Sequence, residues 1–177
     1  AKIFYSVPNF QNPSGVSWSE ETRKSVADIL TGTGILLVED DPYGELRFAG
    51  MEKKSMNHYL PDSSVLLGSF SKIFAPSFRL GWIAARKDVM EKLIVAKQAA
   101  DLHTNYFSQR VLYDYLEHND IDSHIALIRR AYGAQRDAMV HALERYMPPG
   151  ISWTLPQGGM FLWLKLPEGT DSMKLFD

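Results

Sequence analysis

The chain has 177 residues, 45% hydrophobic and 12% aromatic, enough apolar material for the core of an ordinary domain rather than a disordered tail. Its 19 Lys and Arg against 21 Asp and Glu leave a formal charge of -2, so no broad positive field invites nucleic acid or an anionic membrane. The absence of Cys excludes a disulfide framework, a thiolate metal site and a cysteine nucleophile.

No run approaches the roughly 18 apolar residues of a membrane span, and the first residues lack the pattern of a signal peptide; the expected location is the cytoplasm. Ala1-Lys2 runs straight into the strand-like Ile3-Phe4-Tyr5-Ser6-Val7. The strand-like Phe161-Leu162-Trp163-Leu164 is soon followed by Leu175-Phe176-Asp177, so the chain reads as a piece of a longer protein whose second domain begins and does not finish.

After the first apolar run comes a Pro- and Asn-rich loop from Pro8 to Gly15, then Ser17-Trp18-Ser19-Glu20. That Ser-x-x-Glu spacing predicts a capping box and a helix from about Trp18, with Val26, Ile29 and Leu30 on one face and Gly32 and Gly34 supplying the stop. Ile35 to Val38 is a continuous apolar run ending in Glu39-Asp40-Asp41-Pro42, the form of a doubly buried strand that emerges into a polar loop. Val65-Leu66-Leu67 ends similarly, in Gly68-Ser69-Phe70-Ser71-Lys72. Leu80 to Ala85 predicts a further strand. Helical periodicity then runs from Asp88 to about Met147, broken near Leu102 to Asn105 and around Asn119, with Ile121, Ile125, Ile128 and Tyr132 forming one buried stripe. Pro148-Pro149-Gly150 ends the last long helix and marks the expected domain boundary, giving segments 1–147 and 148–177.

Strand, helix, strand in this order implies an α/β sheet with crossover helices, whose ligands collect outside the carboxyl ends of parallel strands. Asp40 and Lys72 both fall there. Lys72 in a Ser-x-Ser-Lys context, with Arg79 seven residues on, clusters cations and hydroxyls where a phosphate can be held. Read alone, Lys72 is equally a solvated loop lysine, and Asp40 and Asp41 are equally turn-formers, caps or metal ligands.

Asn12-Pro13-Ser14-Gly15, Asp40-Asp41-Pro42-Tyr43 and Ser69-Phe70-Ser71-Lys72 with Arg79, in this order and at these separations, resemble the class I/II aminotransferases of pyridoxal 5'-phosphate (PLP) fold type I. The wording around Asp40 and Lys72 is most similar to the aminoadipate and kynurenine aminotransferase branch, and Pro156-Gln157-Gly158-Gly159-Met160-Phe161 is similar to the segment entering that family's small domain. The resemblance implies a three-layer α/β/α large domain with a mostly parallel sheet in 1–147 and the start of the small C-terminal domain in 148–177.

The same resemblance implies the roles of the site residues. Lys72 forms the Schiff base with PLP and shuttles the Cα proton. Asp40, chosen over Asp41 by the family spacing Asp-x-x-Tyr, holds the pyridine nitrogen protonated. Tyr43 and Asn12 donate to the cofactor's phenolic oxygen, and Arg79, Ser69 and Ser71 hold its phosphate. The alternative reading of Ser71 is a residue packed beside the lysine, that of Tyr43 a locally satisfied aromatic, and that of Arg79 part of a surface ion pair.

Gly158 and Gly159 read as devices for close backbone approach. His103, Thr104 and Asn105 read as a helix junction, and His118, His124 and His141 as helix-surface or helix-end residues, so no metal is assigned.

The implied activity of the full-length protein is transamination between an amino acid and a 2-oxo acid, in a homodimer. Family members are about twice this length, and the substrate-carboxylate arginine is expected beyond Asp177, so the isolated chain is expected to be inactive. The alternatives are a PLP lyase or decarboxylase on the same scaffold, and the aminotransferase-like effector domain of a helix-turn-helix transcription regulator.

Overall fold

The computed structural model describes residues 1–175; Phe176 and Asp177, at the end of the expected second segment, lie outside the described residues. Four strands, β1 (Ile3–Ser6), β2 (Leu36–Asp41), β3 (Ser64–Ser69) and β4 (Gly81–Ala85), form one sheet in the order β1-β2-β3-β4. The first three are parallel and β4 is antiparallel to β3. The carboxyl ends of β1, β2 and β3 therefore share one edge, and the chain entering β4 starts from that same edge, with Ser69 paired to Gly81.

Helix α1 (Glu20–Leu30) and the single-turn helix α2 (Met56–Tyr59) cover one face of the sheet. Ala27 and Leu30 of α1 pack with Leu37 of β2, Met56 and Leu60 into the first buried cluster. The helix begins two residues later than the capping-box spacing predicts. Ser19, not Ser17, is its cap, accepting a hydrogen bond from the Thr22 amide at 3.1 Å, while Ser17 accepts one from the Phe10 amide at 2.9 Å and is thereby held in the loop. The stop is as expected: Thr31 caps the helix, and Gly32 and Gly34 follow with φ of 75° and 72°, a region open to glycine at little cost.

Strand β2 runs three residues past the apolar stretch, so Glu39, Asp40 and Asp41 belong to the sheet rather than to a loop. All three are paired to β3, Glu39 with Leu66, Asp40 with Leu67 and Asp41 with Gly68.

Beyond the sheet lie α3 (Lys87–Ala100), α4 (Tyr106–His118) and α5 (Ile121–Tyr146), with breaks where the sequence places them. His103 to Asn105 form a junction: the Asn105 side chain caps α4 by accepting from the Ser108 amide at 3.0 Å. Ile125 is buried on α5, flanked on the same stripe by half-buried Ile121, Ile128 and Tyr132. Ile128 and Tyr132 pack with Ile73 and Phe161 against buried Phe10, Tyr43 and Leu46, the second cluster, which lies against the carboxyl edge of the sheet.

The segment after α5 departs from expectation. Of Phe161 to Leu164 only Leu164 is in a strand, β6 (Leu164–Lys165), paired antiparallel with β5 (Ser152–Trp153). Phe161 instead turns inward and meets the Tyr43 ring edge-on, with ring centres 5.6 Å apart. The preceding backbone is tied to the loop after β2, since the Gln157 carbonyl accepts from the Phe48 and Ala49 amides, both at 3.0 Å. Among the described residues no helix is long and apolar enough to cross a membrane.

Candidate active site

Alternation along β2 divides the two adjacent carboxylates. Leu37, Glu39 and Asp41 point to the face covered by α1 and α2, and Asp40 points to the other. Through the pairing of Asp40 with Leu67, Ser69 lies on the same face as Asp40, at the carboxyl edge.

Each carboxylate has a different set of partners. Asp41 Oδ2 accepts from Asn9 Nδ2 at 3.0 Å and its Oδ1 accepts from the Gly44 amide at 2.8 Å, so it fastens the turn after β2. Burial holds its carboxyl above the usual range, against the lowering effect of these bonds. A Cβ on Gly44 would come within 2.2 Å of that carboxylate, which is why the turn needs glycine there. Asp40 Oδ2 accepts a hydrogen bond from the Tyr5 hydroxyl at 2.5 Å, and that bond pushes the Tyr5 phenol up to about 12, keeping it a donor at neutral pH.

A buried network behind the site secures its two loops to each other. Arg23 of α1 donates through Nη2 to the Pro8 carbonyl at 3.1 Å and to Asn9 Oδ1 at 2.7 Å, and through Nη1 to the Lys54 carbonyl at 2.9 Å. Asn9 in turn donates to Asp41. The loop that carries Asn12 and the turn that carries Tyr43 are thus fixed by one chain of polar groups, with Arg23 and Asn9 both buried.

The seven residues singled out from the sequence all come from segments at the carboxyl edge of β1 to β3 or entering β4 there. Asn12 is exposed in the loop after β1, next to the cis Asn12–Pro13 bond. Tyr43 is buried just past β2, its ring on Phe161. Lys72 sits half-buried in the turn after β3, closed by the Phe70 amide donating to the Leu80 carbonyl at 3.1 Å. Ser69 Oγ accepts from the Ser71 amide at 3.1 Å, which leaves both hydroxyl protons free to donate. Arg79 is exposed; among the described residues its side chain donates only to the Pro76 carbonyl, at 3.2 Å, so most of its fork is unengaged there. Among the described residues no carboxylate forms a salt bridge with either Lys72 or Arg79, which distinguishes them from Arg86, Lys97 and Arg129.

The arrangement offers two cations and two hydroxyls from one turn, a carboxylate from the neighbouring strand, and a phenol and an amide from the flanking loops. This is a donor set for an anionic group with an adjacent electrophile, with a primary amine near the sheet edge. A cavity of about 510 Å³ lined by Asn9, Asp41, Arg47, Lys53 and Arg129 lies behind Asp41 and is lined by none of the seven. Nothing in the local sequence signals Tyr5 or Arg23, because their partners are 35 and 14 residues away.

The aminotransferase class I and II model matches residues 3–177, and the chain belongs to that family. It is 46% identical over 177 residues to aromatic-amino-acid aminotransferase 1 of Thermococcus litoralis, which is 99% of this chain and 42% of that protein. Against the 2-aminoadipate transaminase of Thermus thermophilus the identity is 35%, over 99% of this chain and 45% of that protein. Among solved structures, kynurenine aminotransferase of Pyrococcus horikoshii, in complex with PMP, superposes with a TM-score of 0.93 at 45% identity, over 98% of this chain and 43% of that one. Helix-turn-helix regulators are also similar at lower identity, 31% for YisV of Bacillus subtilis, of which the chain covers 36%. The chain spans less than half the length of the curated relatives it matches.

The fold is therefore that of the PLP-dependent aminotransferases, α/β with a mostly parallel sheet and helices.

Proposed function

We propose that this chain is the lysine-bearing part of a PLP-dependent aminotransferase that moves an amino group between an amino acid and a 2-oxo acid. The observation that carries the reading is the gathering of Lys72, Asp40, Tyr43, Asn12, Ser69, Ser71 and Arg79 at one carboxyl edge of the sheet. Residues 1–147 belong to the large domain and 148–177 begin the small one. The full-length protein works as a homodimer in the cytoplasm.

The donors fit the cofactor. The unengaged fork of Arg79 and the free protons of Ser69 and Ser71 suit its phosphate. No hydrogen bond joins the Tyr43 hydroxyl to another described residue, which leaves it, with Asn12, to donate to the phenolic oxygen. Among the described residues one Asp40 carboxylate oxygen has no hydrogen-bond partner, which suits it to a protonated ring nitrogen. Lys72, which pairs with no carboxylate among the described residues, is the covalent anchor. When bound, PLP supplies an electron sink that lets a substrate Cα give up its proton. The Lys72 amine would be the base that takes that proton. Aminotransferases stand at 46% and 45% identity against 31% for the regulator, which supports an enzyme over an effector domain.

Borohydride reduction of the full-length protein, followed by peptide mapping, tests the reading. The pyridoxyl label is expected on Lys72. A label on Lys53 or Lys97 instead, or none on cofactor-saturated protein, overturns it.

A further inference from the structure

We propose that Tyr5 is a positioning residue for Asp40, fixing which carboxylate oxygen faces the cofactor's ring nitrogen. This rests on the proposed function, in which Asp40 partners that nitrogen. A carboxylate at the end of a short side chain can present either oxygen by rotating about its last bond, and only one orientation serves the nitrogen. Here Oδ2 is committed to the Tyr5 hydroxyl at 2.5 Å, and among the described residues nothing else hydrogen-bonds to the carboxylate. The bond crosses from β1 to β2, whose register pairs Tyr5 with Val38, so the phenol reaches one alternation along the same face to the Asp40 carboxylate.

The geometry makes Tyr5 a device for Asp40 rather than for the fold. Tyr5 belongs to neither buried cluster of the described residues, and Asp40 is the one hydrogen-bond partner its hydroxyl has among them. Its phenol stays protonated at neutral pH, so the bond remains a charge-assisted donation to an acceptor-only group. Asp41 needs no such partner, because Asn9 and the Gly44 amide already hold both its oxygens. The two adjacent carboxylates are thus each locked, by different neighbours and for different tasks.

The test uses the full-length protein with PLP, in four forms: unaltered, Tyr5→Phe, Asp40→Asn, and the two combined. In single-turnover reactions with an amino acid, Tyr5→Phe is expected to slow loss of the Cα proton about tenfold, the value of one hydrogen bond to a charged group. In the Asp40→Asn background the same change is expected to have almost no effect, since the hydroxyl acts through the carboxylate. In the resting holoenzyme the pH midpoint of the cofactor's visible absorbance is expected to move up in Tyr5→Phe, because a loosely held ring-nitrogen proton withdraws less charge, through the ring, from the Lys72 nitrogen that would be joined to the cofactor. Thermal stability is expected to stay as it was, which a merely structural tyrosine would not allow.

The outcomes separate the two claims. If Asp40→Asn leaves proton loss unaltered, the assignment of Asp40 itself fails. If Asp40→Asn cripples the reaction while Tyr5→Phe matches the unaltered protein in rate and spectrum, or slows both backgrounds equally, Tyr5 does not position Asp40.

Discussion

Arg23 of α1 and Glu39 of β2 approach to 3.7 Å with both side chains wholly withdrawn from solvent. Glu39 accepts from the Met56 amide through Oε2 at 2.7 Å, but among the described residues its Oε1 has no hydrogen-bond partner, nor has the hydroxyl of Ser6, its pairing neighbour on β1. Burial outweighs both the Met56 bond and the Arg23 charge, and pushes the Glu39 carboxyl from its ordinary 4.5 up to about 7. An acid held above its unfolded value binds its proton more tightly in the folded state. Stability therefore falls as pH rises between about 4.5 and about 7; the cost is absent below that window and complete above it.

Glu39→Gln in the full-length protein should remove this slope, so that the variant gains on the unaltered protein by on the order of 1 to 3 kcal/mol across that window. Urea unfolding at several pH values measures the difference. A constant difference across the window would show that Glu39 does not titrate there. Arg23→Met, which leaves Glu39 unpaired, should cost about 3 to 5 kcal/mol at neutral pH.

The two neighbouring carboxylates of β2 should fail in different ways. Asp40→Asn should leave PLP bound but slow Cα proton loss by orders of magnitude, since an amide cannot hold a pyridinium as a carboxylate does. Asp41→Asn should spare the chemistry and lower stability by about 1 to 3 kcal/mol, because one of its two buried acceptors becomes an NH₂ group facing an N–H donor. Single-turnover kinetics and thermal unfolding on both variants check this, and reversed effects would interchange the roles.

What the sequence made legible was local. Apolar runs ending in polar residues located three strand ends, and the motifs around Asp40, Lys72 and Arg79 carried the resemblance to the family; the sheet gathers those residues at one edge because they stand at or just past its strand ends. Pairing and capping were less legible. Ser17 and Ser19 offer the same hydroxyl two residues apart, and only the Phe10 amide decides which one caps α1. Reading Glu39, Asp40 and Asp41 as loop followed from their charge; β3 pairs with all three, and Arg23, Tyr5 and Asn9 supply their partners from distant segments. Phe161 reads as strand by its apolar neighbours, and its inward turn depends on Tyr43.

Gly158 and Gly159 let the C-terminal segment pass against Phe10. A Cβ on Gly159 would fall 2.4 Å from Phe10 Cβ at a φ of 73°, and one on Gly158 would fall 2.4 Å from Phe10 Cζ and 2.6 Å from the Leu46 carbonyl. Gly159→Ala therefore combines left-handed strain with overpacking and should cost about 2 to 4 kcal/mol. Gly32→Ala, at a similar φ of 75° but with nothing within 4 Å, should cost only about 1 kcal/mol. Denaturant unfolding of the two variants separates strain from contact; equal losses would mean that Phe10 gives way without resistance.

The last prediction concerns the 177-residue chain expressed by itself. Helix α3 buries none of its side chains, leaving Ile94 and Val95 exposed, and Leu102, Tyr106, Phe107 and Tyr113 continue the apolar surface along the junction and α4. Strand β1 is an edge of the sheet, with Ile3 and Tyr5 open to water. Exposed apolar side chains and an unpaired strand edge each favour association over solvation. The isolated chain should therefore form oligomers, and Ile94→Lys with Phe107→Ser should shift it toward the monomer. It should bind PLP weakly and turn over no amino acid, because its relatives are more than twice as long and, of the proposed phosphate ligands, it offers Arg79 and two serines from one edge. Size-exclusion chromatography with light scattering, a cofactor titration and a glutamate-coupled assay read all three on one preparation. A monodisperse monomer that binds PLP tightly and transaminates would mean that these surfaces need no partner and that this part of the fold holds a complete site.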